Sequence, residues 1–363
     1  MKRLRRLGRA LLLWCLRLLP RGQGGAVPTP PRSVLVVRTD DRVGNLLLTT
    51  PLLAALREAF PLARIGLLCA ARRAPVVVGT GLYDELWAFE KRTLFQRPWA
   101  FVAFCWRLRR ARYQVAIDAG HFHAFSFTSA ALARWSGAPV RIGHSRGLAD
   151  RFLTHAIEKD RTVSYDAAAK LELLRPFGIL NAPLRSLQTA LGMRQLVAWQ
   201  ALIGDGFVVN PGGRKPDHRW SATQFAEAAG ALSHSLGVTC FVSWGPGEEA
   251  LARSVADAAG ARLLPQTDLD GLAAAFRAAS LVLTNDTGPM HLAVAVGAPL
   301  VAIFLGDNSE RWLFPQREIA AVRARGRSAG EVLAEVLATA LRVHGAAAST
   351  QASRALTSNR TLR

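Results

Sequence analysis

Along most of the chain, short β-branched runs alternate with longer segments whose apolar residues recur at helical spacing. Ser33–Val37 reads as a buried strand, followed by the polar loop Arg38–Asn45 and a helix over Leu46–Phe60, with Pro51 in its early part. Strands follow at Arg64–Leu68, Gln114–Asp118 and Val140–Ile142, with helices at Ser129–Trp135 and Tyr165–Phe177, the latter closed by Gly178. A second series begins at strand Phe207–Asn210. It continues through helix Ala222–Leu236, strand Val238–Ser243, helix Glu248–Ala259, strand Leu281–Thr284, helix His291–Val296 and strand Leu300–Phe304. Such alternation predicts parallel sheets flanked by helices. Two series joined near Ala182–Gln195 predict two doubly wound α/β domains, 32–190 and 195–325, facing across a cleft. A helix over 326–344 and an Ala/Ser/Thr/Arg-rich tail at 345–363, expected to be disordered, complete the chain.

Residues 1–21 stand outside this pattern. They carry seven basic residues and no acid. The apolar run Ala10–Leu16 is too short to span a bilayer, which takes about 20 residues. Leu4, Leu7, Leu11, Trp14 and Leu18 would share one helical face, which suits a helix lying on an anionic inner-leaflet surface. A plain solvated leader and a secretory signal are the rival readings, the signal opposed by the short apolar core and the lack of a small-residue cleavage site. The Gly/Pro-rich linker that follows closes this segment, 1–31. The 363 residues carry 46 Lys+Arg against 26 Asp+Glu, a net charge of +20, and 41 of the basic residues are arginine. Anionic partners are implied: nucleic acid, anionic lipid or phosphorylated metabolites. No nucleic-acid-binding motif accompanies the charge, so nucleic acid is not expected. The cysteines, Cys15, Cys69, Cys105 and Cys240, form no CxxC pair and read as small apolar residues.

In doubly wound sheets, ligands bind beyond the carboxyl ends of the strands, so chemistry is sought in the loops there. Pro211–Ser221 brings Gly212 and Gly213 together with Arg214, Lys215, His218 and Arg219. Its glycines let backbone N–H groups approach an anion, and its cations suit a departing diphosphate. Asn285–His291 (NDTGPMH) joins a strand to a helix start, where Asp286, Thr287 and Gly288 either bind a ligand or cap the helix. Arg38–Asn45 offers Asp40 and Asp41 as bases, with the arginines keeping them ionised. His121 and His123 form an H-x-H pair with no carboxylate or cysteine at metal-site spacing, so substrate contact or a structural role is expected rather than a metal.

Three of these segments, in order, resemble glycosyltransferase family 9, which contains the ADP-heptose:lipopolysaccharide heptosyltransferases. They are RTDDRVGNLLLTTP at 38–51, the loop at 210–221 with its PGG and RW, and NDTGPMHLAVAVG at 285–297. Weaker likeness at Ile117-Asp118, Arg141–Gly143 and Tyr165–Ile179 fills the interval. The resemblance implies the GT-B fold, two Rossmann-like domains with the acceptor on the first and the nucleotide sugar on the second, and a 326–344 helix crossing back to the first domain. It implies an inverting transfer of a sugar, heptose by family, from a nucleotide-diphosphate donor to a lipopolysaccharide core or other lipid-linked acceptor. No metal or other cofactor is implied, and the protein would sit in the cytoplasm, peripheral to the membrane. By the same resemblance, Gly212, Gly213, Arg214, Lys215, His218, Arg219, Asp286, Thr287, Gly288 and His291 bind the donor. Arg38, His121 and His123 would face the acceptor. Two positions depart from the family pattern. Asn45 stands where an Asp base follows the first motif's glycine, and His218 stands where Lys is usual. An amide cannot take the proton, so either Asp41, nearer the helix start, or Asp40 replaces it, with Asn45 orienting the hydroxyl, or another substrate is used, or the reaction is lost. The alternative is a degenerate GT-B protein that binds nucleotide sugar or glycan without turnover.

Overall fold

The computed structural model describes residues 25–214, 216 and 219–361. The basic segment 1–21, with Cys15, and the loop residues Lys215 and His218 lie outside the described residues. The chain divides into two compact units. One comprises the chain up to Asp41 and Leu48–Arg185; the other comprises Arg42–Leu47 and Ser186–Arg363.

The first unit holds a six-stranded parallel sheet in the order β3-β2-β1-β4-β5-β6. Its strands are β1 (Ser33–Arg38), β2 (Arg64–Ala70), β3 (Glu85–Phe89), β4 (Val115–Asp118), β5 (Val140–His144) and β6 (His155–Ile157). Every residue of β1 and β4 is buried, as expected of central strands covered on both faces. Between them the order reverses: β1 pairs with β2 on one side (Val36↔Leu67) and with β4 on the other (Val36↔Ile117). The second unit repeats the design as β12-β11-β10-β7-β8-β9. Its strands are β7 (Phe207–Asn210), β8 (Cys240–Val242), β9 (Arg262–Leu263), β10 (Val282–Asn285), β11 (Leu300–Phe304) and β12 (Ile319–Arg323). Here the reversal falls between β10 and β7, which pair at Leu283↔Val209. A crevice therefore opens beyond the carboxyl ends of each central pair.

Several elements differ from the sequence expectation. The helix expected over Leu46–Phe60 is two helices, Val43–Leu47 and Thr50–Ala59. Pro51 has no N–H for the carbonyl four residues back, so the first helix cannot run through it, and it opens the second instead. The first of these helices also belongs to the second unit, not to the 32–190 domain in which the sequence placed it. Tyr165–Phe177 is α-helical only over Asp166–Leu171 and tightens to a 3-10 turn through Pro176, ending at Gly178 in the left-handed conformation. The last helix begins at Ala329 and runs to Thr361, so the disordered tail expected from 345 is helical. Residues 345–361 contain no proline, and alanines at 346–348 carry the helix on. Thr350 donates to Glu318, and Val332, Val336, Ala340 and Val343 are buried in the second unit's core. Ala329–Thr350 is long and apolar enough to cross a membrane by composition, but this apolar side is spent on the core. Burial pushes the thiols of Cys69 and Cys240 up to about 12, which leaves them unreactive packing groups.

Candidate active site

In the first unit, the loops after β1, β2 and β3 enclose a cavity of about 590 Å³. Thr39, Asp40 and Asp41 line it beside Arg72, Lys91 and Arg92. Asp40 is held at 2.7 Å by Nε of Arg38, the last residue of β1. Arg38 is only 2 % exposed, and its other nitrogens donate to the Ala119 carbonyl (2.8 Å) and to Nε2 of His121 (2.8 Å). His121 in turn donates from Nδ1 to Asp166 (3.0 Å), whose other oxygen is ion-paired with Lys170. Burial and the neighbouring guanidinium push His121 down to about 4, so the ring is neutral and accepts from Arg38. Burial works against the charge on Asp166, but Lys170 and His121 outweigh it and hold that carboxyl well below the usual range. Burial also brings the Lys170 ammonium down to about 8, against the attraction of Asp166. Asp40 is thus fixed from beneath by a chain of buried partners. Asp41 pairs with the surface residue Arg73 at 2.7 Å and is about half exposed.

In the second unit, the loop 211–220 is clamped by Asn285, the last residue of β10 and fully buried. Its amide donates to the carbonyls of Pro211 (2.9 Å) and Gly212 (3.2 Å), and its oxygen accepts from the Trp220 N–H (2.8 Å). One side chain therefore holds both ends of the glycine loop open. Within the loop, Gly213 N–H points at an anion: Oε1 of Glu248, at 2.7 Å. Arg219 lies 3.5 Å from the same oxygen, and Gly245 N–H donates to the other at 3.2 Å. The loop is thus built to receive negative charge, and a carboxylate already sits in it. Glu248 was not singled out from the sequence, where it reads only as the first residue of a helix.

Asp286, Thr287 and Gly288 follow Asn285 at the start of helix Gly288–Ala295, with Thr287 in the capping position. The Thr287 methyl lies where a Cβ on Gly213 would meet it, at 2.8 Å, so the two loops touch. Burial pushes Asp286 up to about 6. His291, one turn into this helix, lays its ring on Gly44 and faces the edge of Trp312. A Cβ on Gly44 would come within 2.2 Å of that ring. Gly44→Ala is accordingly expected to cost about 1–3 kcal/mol by overpacking. Thermal melting of the variant checks it.

Residues 101–331, well over half of the chain, match the model of glycosyltransferase family 9 (heptosyltransferase). The chain belongs to glycosyltransferase family 9. It is 25 % identical over 291 residues to lipopolysaccharide heptosyltransferase 3 of Escherichia coli, covering 74 % of this chain and 82 % of that protein. E. coli heptosyltransferase WaaC with ADP superposes with a TM-score of 0.71 at 22 % identity, over 85 % of this chain and all of that one. The same enzyme with ADP-2-deoxy-2-fluoro heptose gives 0.67 at 22 % identity, over 84 % and 97 % of the two chains. The shared architecture is the GT-B fold of two Rossmann-like units.

Membership in family 9 sharpens three points. First, Asn45 is buried on the short helix Val43–Leu47 in the second unit, whereas Asp40 and Asp41 line the first unit's cavity. Second, the carboxylate that the H-x-H pair lacked in sequence is supplied by the fold. Donor atoms of His121, His123 and Asp166 lie within 4.8 Å of one another, the histidine rings stacked at 4.9 Å. Yet Arg38 and Lys170 already contact two of these three groups, and their fixed positive charges oppose a dication there. Third, Arg38, expected at the acceptor, spends its guanidinium on Asp40, Ala119 and His121.

Proposed function

We propose that this family 9 protein transfers heptose from ADP-heptose, with inversion and without a metal, to a lipopolysaccharide core or other lipid-linked acceptor. The observation that carries the reading is the glycine loop whose Gly213 N–H and Arg219 converge on an anion position. The donor's diphosphate takes that position by displacing the Glu248 carboxylate, with Arg214 and Lys215 adding charge. Asp286 and Thr287 accept and donate to the donor sugar's hydroxyls. An acceptor carrying anionic groups enters the first unit's cavity past Arg72, Lys91 and Arg92. Asp40 removes the acceptor hydroxyl's proton, the oxygen attacks the anomeric carbon, and the diphosphate departs into the N–H groups and guanidinium that stabilise its growing charge. The work takes place on the cytoplasmic face of the membrane, held there by residues 1–21.

The test incubates purified full-length protein with ADP-heptose and a heptose-deficient lipopolysaccharide, with and without EDTA. Glycosylated product in both arms supports the reading. Turnover abolished by EDTA would overturn its metal-free form. A second reading is favoured by Asn45 at the family's base position: a protein that binds the donor without transfer. Calorimetric ADP-heptose binding with no product over prolonged incubation would establish it instead.

Asp286 adds a pH signature. An acid whose pKa is raised by folding is most compatible with the fold while protonated, so its penalty is absent below its ordinary value near 3.8 and complete above about 6. Donor hydroxyls need the ionised form as acceptor. Between pH 5 and 7, ADP-heptose affinity is therefore expected to rise while the apo protein's melting temperature falls. Asp286→Asn should flatten both trends; unchanged trends in that variant would remove Asp286 from the donor site.

A further inference from the structure

The helix Pro98–Arg110 has two apolar sides, and among the described residues only one is packed inside the protein. Phe101 and Phe104 pack on Phe89, and Leu108 is fully buried beside them. The opposite side presents Trp99, Val102 and Trp106, which are 70 %, 65 % and 55 % exposed. Their spacing of three and four residues places them in one line along the helix. From 97 to 112 the chain carries five arginines and no acid. Arg110 stacks on the Trp106 ring at 4.0 Å. Beside it opens a cavity of about 610 Å³ lined by Trp106, Arg109, Arg110 and Arg112, with Gln114 and Pro139.

We propose that this face docks on an anionic lipid bilayer, the indoles entering the headgroup boundary and the arginine-lined cavity taking a lipid phosphate. The charge decides the occupant. A row of tryptophans bordered only by arginine matches the composition of membrane-interface helices, where the aromatic body is buried and the guanidinium reaches the phosphates. Exposed apolar surface of this kind requires a partner, and a uniformly cationic border selects a uniformly anionic one. The helix begins six residues after Arg92 in the first unit's cavity, so docking would bring a lipid-linked acceptor close to the proposed acceptor site. The surface is formed by residues 98–112, and the proposal does not depend on the reaction.

The test uses the full chain with vesicles of phosphatidylcholine alone and of phosphatidylcholine with one quarter phosphatidylglycerol. Hydrogen–deuterium exchange is expected to show protection over 98–112 on the anionic vesicles only. Trp99→Ser/Trp106→Ser and Arg109→Gln/Arg110→Gln should each lower the cosedimenting fraction by about threefold or more without shifting the melting temperature. Binding to anionic vesicles with no protection at 98–112 would overturn the proposal and leave the attachment to residues 1–21. So would variants that bind like the wild type, or protection that appears only with a soluble protein partner.

Discussion

Replacing Asp40 with Asn is expected to lower sugar transfer by about 10²–10⁴-fold, the usual worth of a positioned general base. ADP binding, measured by calorimetry, should stay unchanged. The expectation rests on how the carboxylate is held. A general base works when its position is fixed relative to the hydroxyl it must deprotonate. Asp40 lines the cavity of the first unit and is gripped by Arg38, which is itself pinned to Ala119 and His121 beneath it. His121 is pinned in turn by Asp166, which is itself ion-paired with Lys170. Asp41 lines the same cavity, but it pairs with Arg73 toward the surface, a kind of pair that contributes little. Asp41→Asn should thus change kcat by less than about threefold, the scale of an exposed ion pair. The sequence favoured Asp41 over Asp40 by its distance from the helix start; the grip of Arg38 on Asp40 is the reason for proposing Asp40 instead. A compensating variant sharpens the test. If Asn45 occupies the place of a lost base, Asn45→Asp should restore part of the rate in the Asp40→Asn background. Equal rates for Asp40→Asn and the wild type would eliminate Asp40 as the base.

The legible part of the chain was the part whose physics is local. Central strands such as Ser33–Val37 and Phe207–Asn210 are continuous apolar runs because both faces are covered, and they stand out in one dimension. The glycine loop and the NDTG turn could be read because their chemistry lies within a few consecutive residues. The edge strand β3 (ELWAF) could not, since three of its five residues are only half-buried and one is exposed. Helix Leu269–Ala278 was missed because its buried face is largely alanine, which gives weak contrast. Helix Pro98–Arg110 was missed for the opposite reason: its exposed side is as apolar as its buried one, which erases the helical period. The site residues that escaped notice are those that act at long range. Glu248 reaches the glycine loop from 35 residues away, and Asp166 reaches His121 from 45. Asn285 lay inside a recognised motif, but its role as the clamp of a loop some 70 residues earlier exists only in three dimensions.

Removing the guanidinium of Arg146 should cost about 3–5 kcal/mol of the first unit's stability, the scale for uncovering a buried charge. The Arg146 side chain is 3 % exposed and pairs at 2.6 Å with Asp118, the last residue of β4 and wholly buried. Its remaining nitrogens donate to the carbonyls of His121 (2.6 Å), Ala124 (3.1 Å) and His144 (3.2 Å). Asp118 also accepts from Gly120 N–H at 3.0 Å. One side chain therefore fastens the turn after β4 to the end of β5, and that turn carries His121 up to Arg38. Arg146→Ala strands a buried carboxylate and frees three carbonyls, so both stability and transfer should fall. Arg146→Lys should recover little, because a single ammonium cannot reach four acceptors in the directions a planar fork does. The double variant Asp118→Leu/Arg146→Met separates the two losses. With no charge left buried, denaturant unfolding should show most of the stability restored. Transfer should remain low, because the turn bearing His121 has lost its ties and no longer holds Arg38 against Asp40. If the double variant regains full activity as well as stability, the turn has no part in positioning Asp40, and the pair is purely a core element.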